Sequence, residues 1–439
     1  MVNENWVARD LAHIWHPCTQ MKDFIDCPPL VIHRAQGSYL YTDRGMLIDS
    51  ISSWWCKSLG HGHPRVIDAI QQQLKQFEHV IGANSTYPNL VMLGEELAAI
   101  CQQQHTFFAS DGSSAVEIAL KLALHAHQLQ GASHKKEFIA LSNAYHGETL
   151  ATIQVSDLAQ YKKPYVQAEP RCHFLQNLPY VSSQHDPLWA QCESIWPKFE
   201  AQLHALKDTV CAILVEPILQ GAGGMTCYSA DFLKRLAAFA KAHNIYLIAD
   251  EIMTGFGRTG EWLASDHAQV QADLICLSKG LTSGSLPLSC VVINNAIYEL
   301  FYADFSTGKS FLHSHTYSCH ALAVAAALAT IHTIREEHLI ENARALGHIM
   351  QQQLTDIAAI SQKLTNIRSI GAWVAADLVE PPHPRIDVQI YQAALQRGAL
   401  LRPLGKTLYW LPPLNTATET IAQLAEITLN SIEAAYHSC

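Results

Sequence analysis

The sequence of 439 residues contains no Lys/Arg-rich run, and its formal net charge is −10. That balance excludes a general nucleic-acid binder. Long apolar runs are also missing. The longest stretch of small apolar residues, ALAVAAALATI from Ala321, is too short to span a bilayer. The N-terminal MVNENWVARDLAHIW has neither the basic start nor the apolar core of a signal peptide. The 12 cysteines include no CxxC pair, so they are expected to be reduced thiols of a cytoplasmic protein. His313, His315, Cys319 and His320 lie close together, as do His61 and His63, but neither group has zinc-ligand spacing. In a chain with 24 histidines such clusters arise by chance, and no metal is expected. Internal repeats and low-complexity segments are absent too.

What is present is apolar: 49% of residues are hydrophobic, enough for a large core. GSYLYTDRGMLID predicts two short strands around Asp43-Arg44-Gly45. A helical pattern starts after His63-Pro64. Beyond it, apolar strand candidates (HTFFAS, EFIALS, CAILVEP, YLIADE, LICLS, SCVVIN) alternate with helical segments such as SADFLKRLAAFAKAH. This alternation predicts an α/β fold with a mostly parallel sheet wrapped by helices. Helical sequence resumes over 320–354. GAWVAADL and ALLRPLGKTLYWLPP then predict strands, and TETIAQLAEITLNSIEAAY a last helix. The expected division is a large central domain over 63–328 and a small α+β domain built from both chain ends, 1–62 and 329–439.

The strand YLIADE ends in two acids, Asp250 and Glu251, before a glycine-rich turn. In open α/β sheets ligands bind beyond the carboxyl ends of strands. A second apolar strand, ADLICLS, ends at Lys279. Taken alone, Lys279 reads equally well as a lysine whose stem lies along the sheet edge. Beside Asp250 it gains another meaning. A crevice lysine with a lowered pKa forms a Schiff base with an aldehyde. Pyridoxal phosphate uses that linkage and needs an acid at its ring nitrogen. A phosphate would sit at Asp111-Gly112-Ser113-Ser114, where a strand runs into a helix whose first N–H groups are free. The plainer reading of those residues is a helix cap. Tyr145, just after a strand, is placed to stack on a cofactor ring, or else packs in the core at a turn.

Together these residues resemble the class III, fold-type-I aminotransferases that use pyridoxal phosphate. The motifs are DGSSAVEIALK, NAYHGET, EPILQGAGGM, LIADEIMTGFGRTG, LSKGLTSG and HTYSCHALAVAAA, in order over about residues 105–330. WHPCTQM, ISSWWCKSLGHGHP and LRPLGKTLYWLPP further resemble the branch of that family in biotin synthesis. That branch moves an amino group from S-adenosylmethionine to 8-amino-7-oxononanoate, giving 7,8-diaminononanoate. The resemblance implies Lys279 as the Schiff-base lysine and proton carrier, Asp250 as the acid at the pyridine nitrogen, and Tyr145 beside the ring. It implies cofactor contacts from Gly112, Ser113, Ser114 and Thr316, the last across a homodimer. It implies substrate contacts from Trp54, Trp55, Tyr145, Lys279, Ser314, Arg402 and Tyr409, with Arg402 facing the acceptor's carboxylate. The chain departs from the family at Cys18, where a tyrosine is usual. A neighbouring tyrosine could fill that gap. It also departs at Ser314-His315-Thr316, where Gly-Pro-Thr or Gly-His-Thr is frequent, and at Glu148, where aspartate is common. Lysine as donor, or another ω-amino-acid aminotransferase, remains the alternative.

Overall fold

The computed structural model describes residues 5–165 and 170–437; the first four residues of MVNENWVARDLAHIW and Cys439 lie outside them. At the centre is a seven-stranded sheet. Its spatial order is His105–Ala109, Ser289–Ile293, Leu274–Leu277, Tyr246–Asp250, Val210–Val215, Glu137–Leu141, Cys172–Leu175. Only Ser289–Ile293 runs antiparallel to its neighbours, so the expected mostly parallel sheet is present. The strands Val210–Val215, Tyr246–Asp250 and Leu274–Leu277 are buried at every residue. Continuous apolar runs form such strands because helices cover both faces of a parallel sheet. Helices Gly112–Leu129, Ala230–Ala242 and Ala321–Glu336 contribute buried faces to that cover.

Register determines what meets at the sheet's end. Asp250 pairs with Cys276 of the parallel neighbour, and Lys279 follows three residues later. The acid and the lysine therefore leave the sheet side by side at the carboxyl ends of adjacent strands.

Both chain ends meet in a smaller sheet. Ile32–Gln36, Tyr39–Thr42 and Gly45–Asp49 form an antiparallel meander, and Ala399–Leu400 adds parallel to Gly45–Asp49. Leu364–Ser369, Val374–Leu378 and Thr407–Trp410 form a separate antiparallel sheet. ALLRPLGKTLYWLPP is thus two strands in two sheets. Pro403 has no N–H for a ladder, and Gly405 takes φ +56, so the chain turns between the two strands and leaves Arg402 half-buried just before the turn. The helical stretch after His320 is likewise two helices, Ala321–Glu336 and Leu339–Ser361, separated at His338 with φ +52. Tyr180–Val181, Leu219–Gln220 and Thr226–Tyr228 form a small sheet that the sequence did not suggest. Buried Arg258 ties the glycine-rich turn to the C-terminal part, with Nη1 donating to Ala372 O and Pro412 O at 2.7 Å each. Among the described residues no helix is long and apolar enough to cross a membrane.

Gly347, buried within Leu339–Ser361, gives a sign test of this packing. On an exposed helix, glycine to alanine adds about 1 kcal/mol of stability. Here a Cβ would come within 2.1 Å of Gly371 O. Overpacking against backbone reverses the sign, so Gly347→Ala should cost about 1–3 kcal/mol. A lower denaturant midpoint checks this; a raised midpoint would show that the two glycines are not in contact.

Candidate active site

A cavity of about 1030 Å³ opens at the carboxyl ends of the central strands. Its wall includes Trp54, Trp55, Gly112, Ser113, Tyr145, Asp250, Lys279 and Arg402. The volume is at the upper end for small-molecule sites, room for more than one compact ligand.

Lys279 follows the buried strand Leu274–Leu277 and takes a left-handed φ of +42. This conformation is costly for a residue with a Cβ, and such strain gathers at functional sites. Lys279 Nζ lies 4.9 Å above the Trp55 ring. Burial pulls the lysine pKa down; the negative charges of Asp250 and then Glu216 pull it back up. The net direction is down, which favours the neutral, nucleophilic amine.

The two acids after the neighbouring strand have different tasks. Asp250 lines the cavity, and its Oδ2 lies 2.7 Å from His146 Nδ1. Its Oδ1 accepts from Ile252 N at 3.2 Å. Glu251 is turned inward and fully occupied: it accepts from Ala264 N (3.0 Å), from Ser265 N and Oγ (2.8 Å each), and from Thr254 Oγ1. It is a staple for the 264–265 turn rather than a part of the cavity.

Asp111 caps the helix Gly112–Leu129, accepting from Ser114 N (3.0 Å) and Ser114 Oγ (2.8 Å). Ser114 is therefore engaged in the cap, and it does not line the cavity. Ser113 does, and its hydroxyl makes no hydrogen bond among the described residues. Gly147, at φ +125, lies against it so closely that a Cβ would sit 2.2 Å from Ser113 Oγ. A free hydroxyl, free first-turn N–H groups and a glycine cradle suit a phosphate. With an acid and a depressed lysine nearby, the donor set fits the phosphate, the aldehyde and the ring nitrogen of pyridoxal phosphate.

A strained turn presents the tryptophans. Ser52, Ser53 and Trp55 all have positive φ (51, 61 and 64). Buried Asp49 holds the turn, accepting from Ser53 N (2.7 Å) and Ile51 N (3.2 Å), with His61 Nε2 at 2.8 Å. Trp54 is exposed and lies under the Arg402 guanidinium at 4.9 Å. Trp55 is buried, and its Nε1 donates to Tyr409 OH at 3.0 Å. Tyr409 stands behind Trp55, outside the cavity wall. Ser314 and Thr316 also lie off that wall, on an exposed segment; the Thr316 carbonyl is 2.9 Å from His79 Nε2.

Residues that sequence reasoning passed over are His146 and Glu216. His146 is buried against Asp250, and its Nε2 has no partner. Glu216 accepts from Tyr145 N (3.0 Å) and Gly221 N (2.9 Å), fixing two cavity loops to one strand end. CAILVEP carried the signal that drew attention to YLIADE: an acid at the tip of a buried strand.

The chain belongs to the class III aminotransferase family, whose pattern it matches over residues 23–432. It is similar to the adenosylmethionine-8-amino-7-oxononanoate aminotransferase of Helicobacter pylori, with 37% identity covering 97% of this chain and 98% of the relative. The enzyme of the same name from Synechococcus elongatus is 38% identical over 91% of this chain and 94% of its own. The crystal structure of that enzyme from Methanocaldococcus jannaschii aligns with a TM-score of 0.90 at 27% identity, covering 97% of this chain and 98% of the other. An amine transaminase from an uncultivated Pseudomonas species, in its PLP-bound form, aligns with a TM-score of 0.88 at 30% identity, covering 97% and 99%.

Burial pushes the Glu216 carboxyl from 4.5 up to about 7, with Asp250 adding repulsion and His146 opposing it. Between those values an unfolded chain ionises first, so this carboxyl weakens the fold as pH rises through that window. The infrared difference between pH 6 and pH 8 should contain a protonated-carboxyl component from Glu216, and that component should be missing from Glu216→Gln. Its absence from the wild-type difference would show that Glu216 does not titrate in that window.

Proposed function

We propose that this chain is a pyridoxal-phosphate aminotransferase that moves the amino group of S-adenosylmethionine to 8-amino-7-oxononanoate, forming the 7,8-diamine in biotin synthesis. The observation that carries the chemistry is the pair at the ends of adjacent strands, Asp250 and Lys279, lining one cavity with Trp55 beside the lysine. Similarity along nearly the whole chain to relatives bearing that enzyme's name supports the substrates.

Bound pyridoxal phosphate supplies the electron sink that makes a carbon-bound proton removable. Asp250, held by His146, keeps the ring nitrogen protonated. Gly112 and Ser113 hold the phosphate. Tyr145 covers the ring, fixed from behind by Glu216. Lys279 Nζ takes the proton from the donor's amino-bearing carbon and, in the second half, delivers one to the acceptor's former ketone carbon. The oxidised donor leaves before the acceptor enters, so the two substrates use one pocket in turn. Trp54 and Trp55 give that pocket apolar walls, and Tyr409 fixes Trp55. Arg402 pairs with the acceptor's terminal carboxylate.

A cytoplasmic location is in keeping with the cysteines, all free among the described residues. A homodimer with shared sites completes the reading. Phe305 and Leu312 are 94% and 88% exposed on the segment that carries Ser314 and Thr316. A second copy covering this segment would bring Ser314 and Thr316 to the partner's cavity. Sedimentation equilibrium should give twice the chain mass of 48.6 kDa; a monomer that turns over would overturn the shared site.

The direct test is the visible spectrum of purified protein with its cofactor. The cofactor band should bleach with S-adenosylmethionine and return with 8-amino-7-oxononanoate. Bleaching only by lysine or another amine would overturn the donor. Lys279→Ala should lose all turnover while still retaining cofactor; substantial remaining turnover would overturn the role of Lys279.

A further inference from the structure

Cys18, Tyr145, Glu148 and Tyr161 line the same cavity as Arg402. Tyr145 OH donates to Glu148 Oε1 at 2.8 Å. The Cys18 thiol faces the same oxygen at 3.8 Å, and Tyr161 OH approaches Cys18 Sγ at 3.9 Å. The Tyr145 and Tyr161 rings are 5.9 Å apart, so the four side chains form one continuous strip.

The strip is unevenly satisfied. Glu148 and Tyr145 have each other. Tyr161 has only the distant thiol, and sulfur is a weak acceptor. Arg402 has no ion pair among the described residues and lies over Trp54. Its positive charge acts on both Cys18 and Tyr161, opposing the burial that raises their pKa values. A phenol whose hydroxyl reaches only a distant thiol and a guanidinium with no carboxylate paired to it therefore line one cavity. The group that completes them is anionic and arrives with a ligand. Glu148 fixes the polarity, because a carboxylate is repelled from its side and drawn to that of Arg402.

Cys18 makes this arrangement possible. Its backbone is left-handed, φ +49, and its side chain is short. The Tyr161 hydroxyl already lies 3.9 Å from the sulfur, so a larger side chain at position 18 would compete for the same space.

We propose that Tyr161 is a specificity-determining residue of this chain: its phenol donates to the terminal carboxylate of the keto acid, beside Arg402, in the space left by Cys18. The assignment rests on the acceptor proposed above. Tyr161 sits on the short turn Ala159–Lys162, outside every motif that carries the family resemblance.

The experiment follows return of the cofactor band with two acceptors, 8-amino-7-oxononanoate and its terminal primary amide. Wild-type protein should favour the acid at least tenfold. A hydrogen bond to a charged group corresponds to about ten- to a hundredfold in rate constant. Tyr161→Phe should lose about that much with the acid and little with the amide. Arg402→Ala should show the same selectivity more strongly. Cys18→Tyr added to Tyr161→Phe should restore activity on the acid, because a phenol then enters the same space from the opposite wall. Unchanged activity of Tyr161→Phe on the acid, or equal losses on both acceptors, would overturn the assignment. Failure of wild-type protein with both acceptors would overturn the functional reading and this assignment with it; the wild-type control separates the two failures.

Discussion

The burial of a lysine at the end of a parallel strand governs this structure. Lys279 leaves a fully buried strand in a left-handed conformation, with an aromatic face beneath its amine and acids nearby. Water solvates an ammonium far better than such a crevice does, so burial favours the neutral amine. The neighbouring carboxylates limit that shift. The surrounding elements maintain this balance: a close-packed sheet excludes water, a strained turn supplies Trp55, and parallel register sets Asp250 beside the lysine.

Three acids near the site show how environment divides labour among identical groups. Asp250 keeps one oxygen against His146 and lines the cavity. Glu251, its neighbour in sequence, points the opposite way and is saturated by backbone and hydroxyl donors. Alternation along a strand makes such opposition automatic. Glu216 ends the next strand and is spent on two backbone N–H groups that place Tyr145 and the Gly221 turn. Its raised pKa follows from burial and from Asp250. One acid is available to a ligand, one is structural, and one positions the loops that surround the ligand.

The mouth of the cavity follows a different logic from its floor. The floor is built on strand ends and a helix start, where backbone geometry leaves little freedom. The mouth is assembled from segments distant in sequence: Cys18, the 159–162 turn, and the turn at Arg402. The Arg402 turn exists because Pro403 and Gly405 interrupt two strands belonging to different sheets. The roles proposed above would place substrate discrimination where side chains exchange most readily, and the chemical centre where they do not.

The sequence by itself determined the alternating α/β order, the continuous apolar strands of the sheet, and the positions of Asp250, Lys279 and the Gly112 helix start at strand ends. Those features are local: apolar runs, strand-end acids and a strand-to-helix turn lie within a few residues of one another. It also determined that Arg402 follows an apolar strand. Only the tertiary structure decided that Ser114 serves the helix cap while Ser113 faces the cavity, that Tyr409 acts from behind Trp55, and that His146 grips Asp250. It alone decided that Tyr161 meets Cys18 across 143 positions of chain. The physical reason is that a side chain's task depends on which neighbours remain unsatisfied once the backbone has packed. Those neighbours come from elements whose spacing in sequence carries no record of their distance in space.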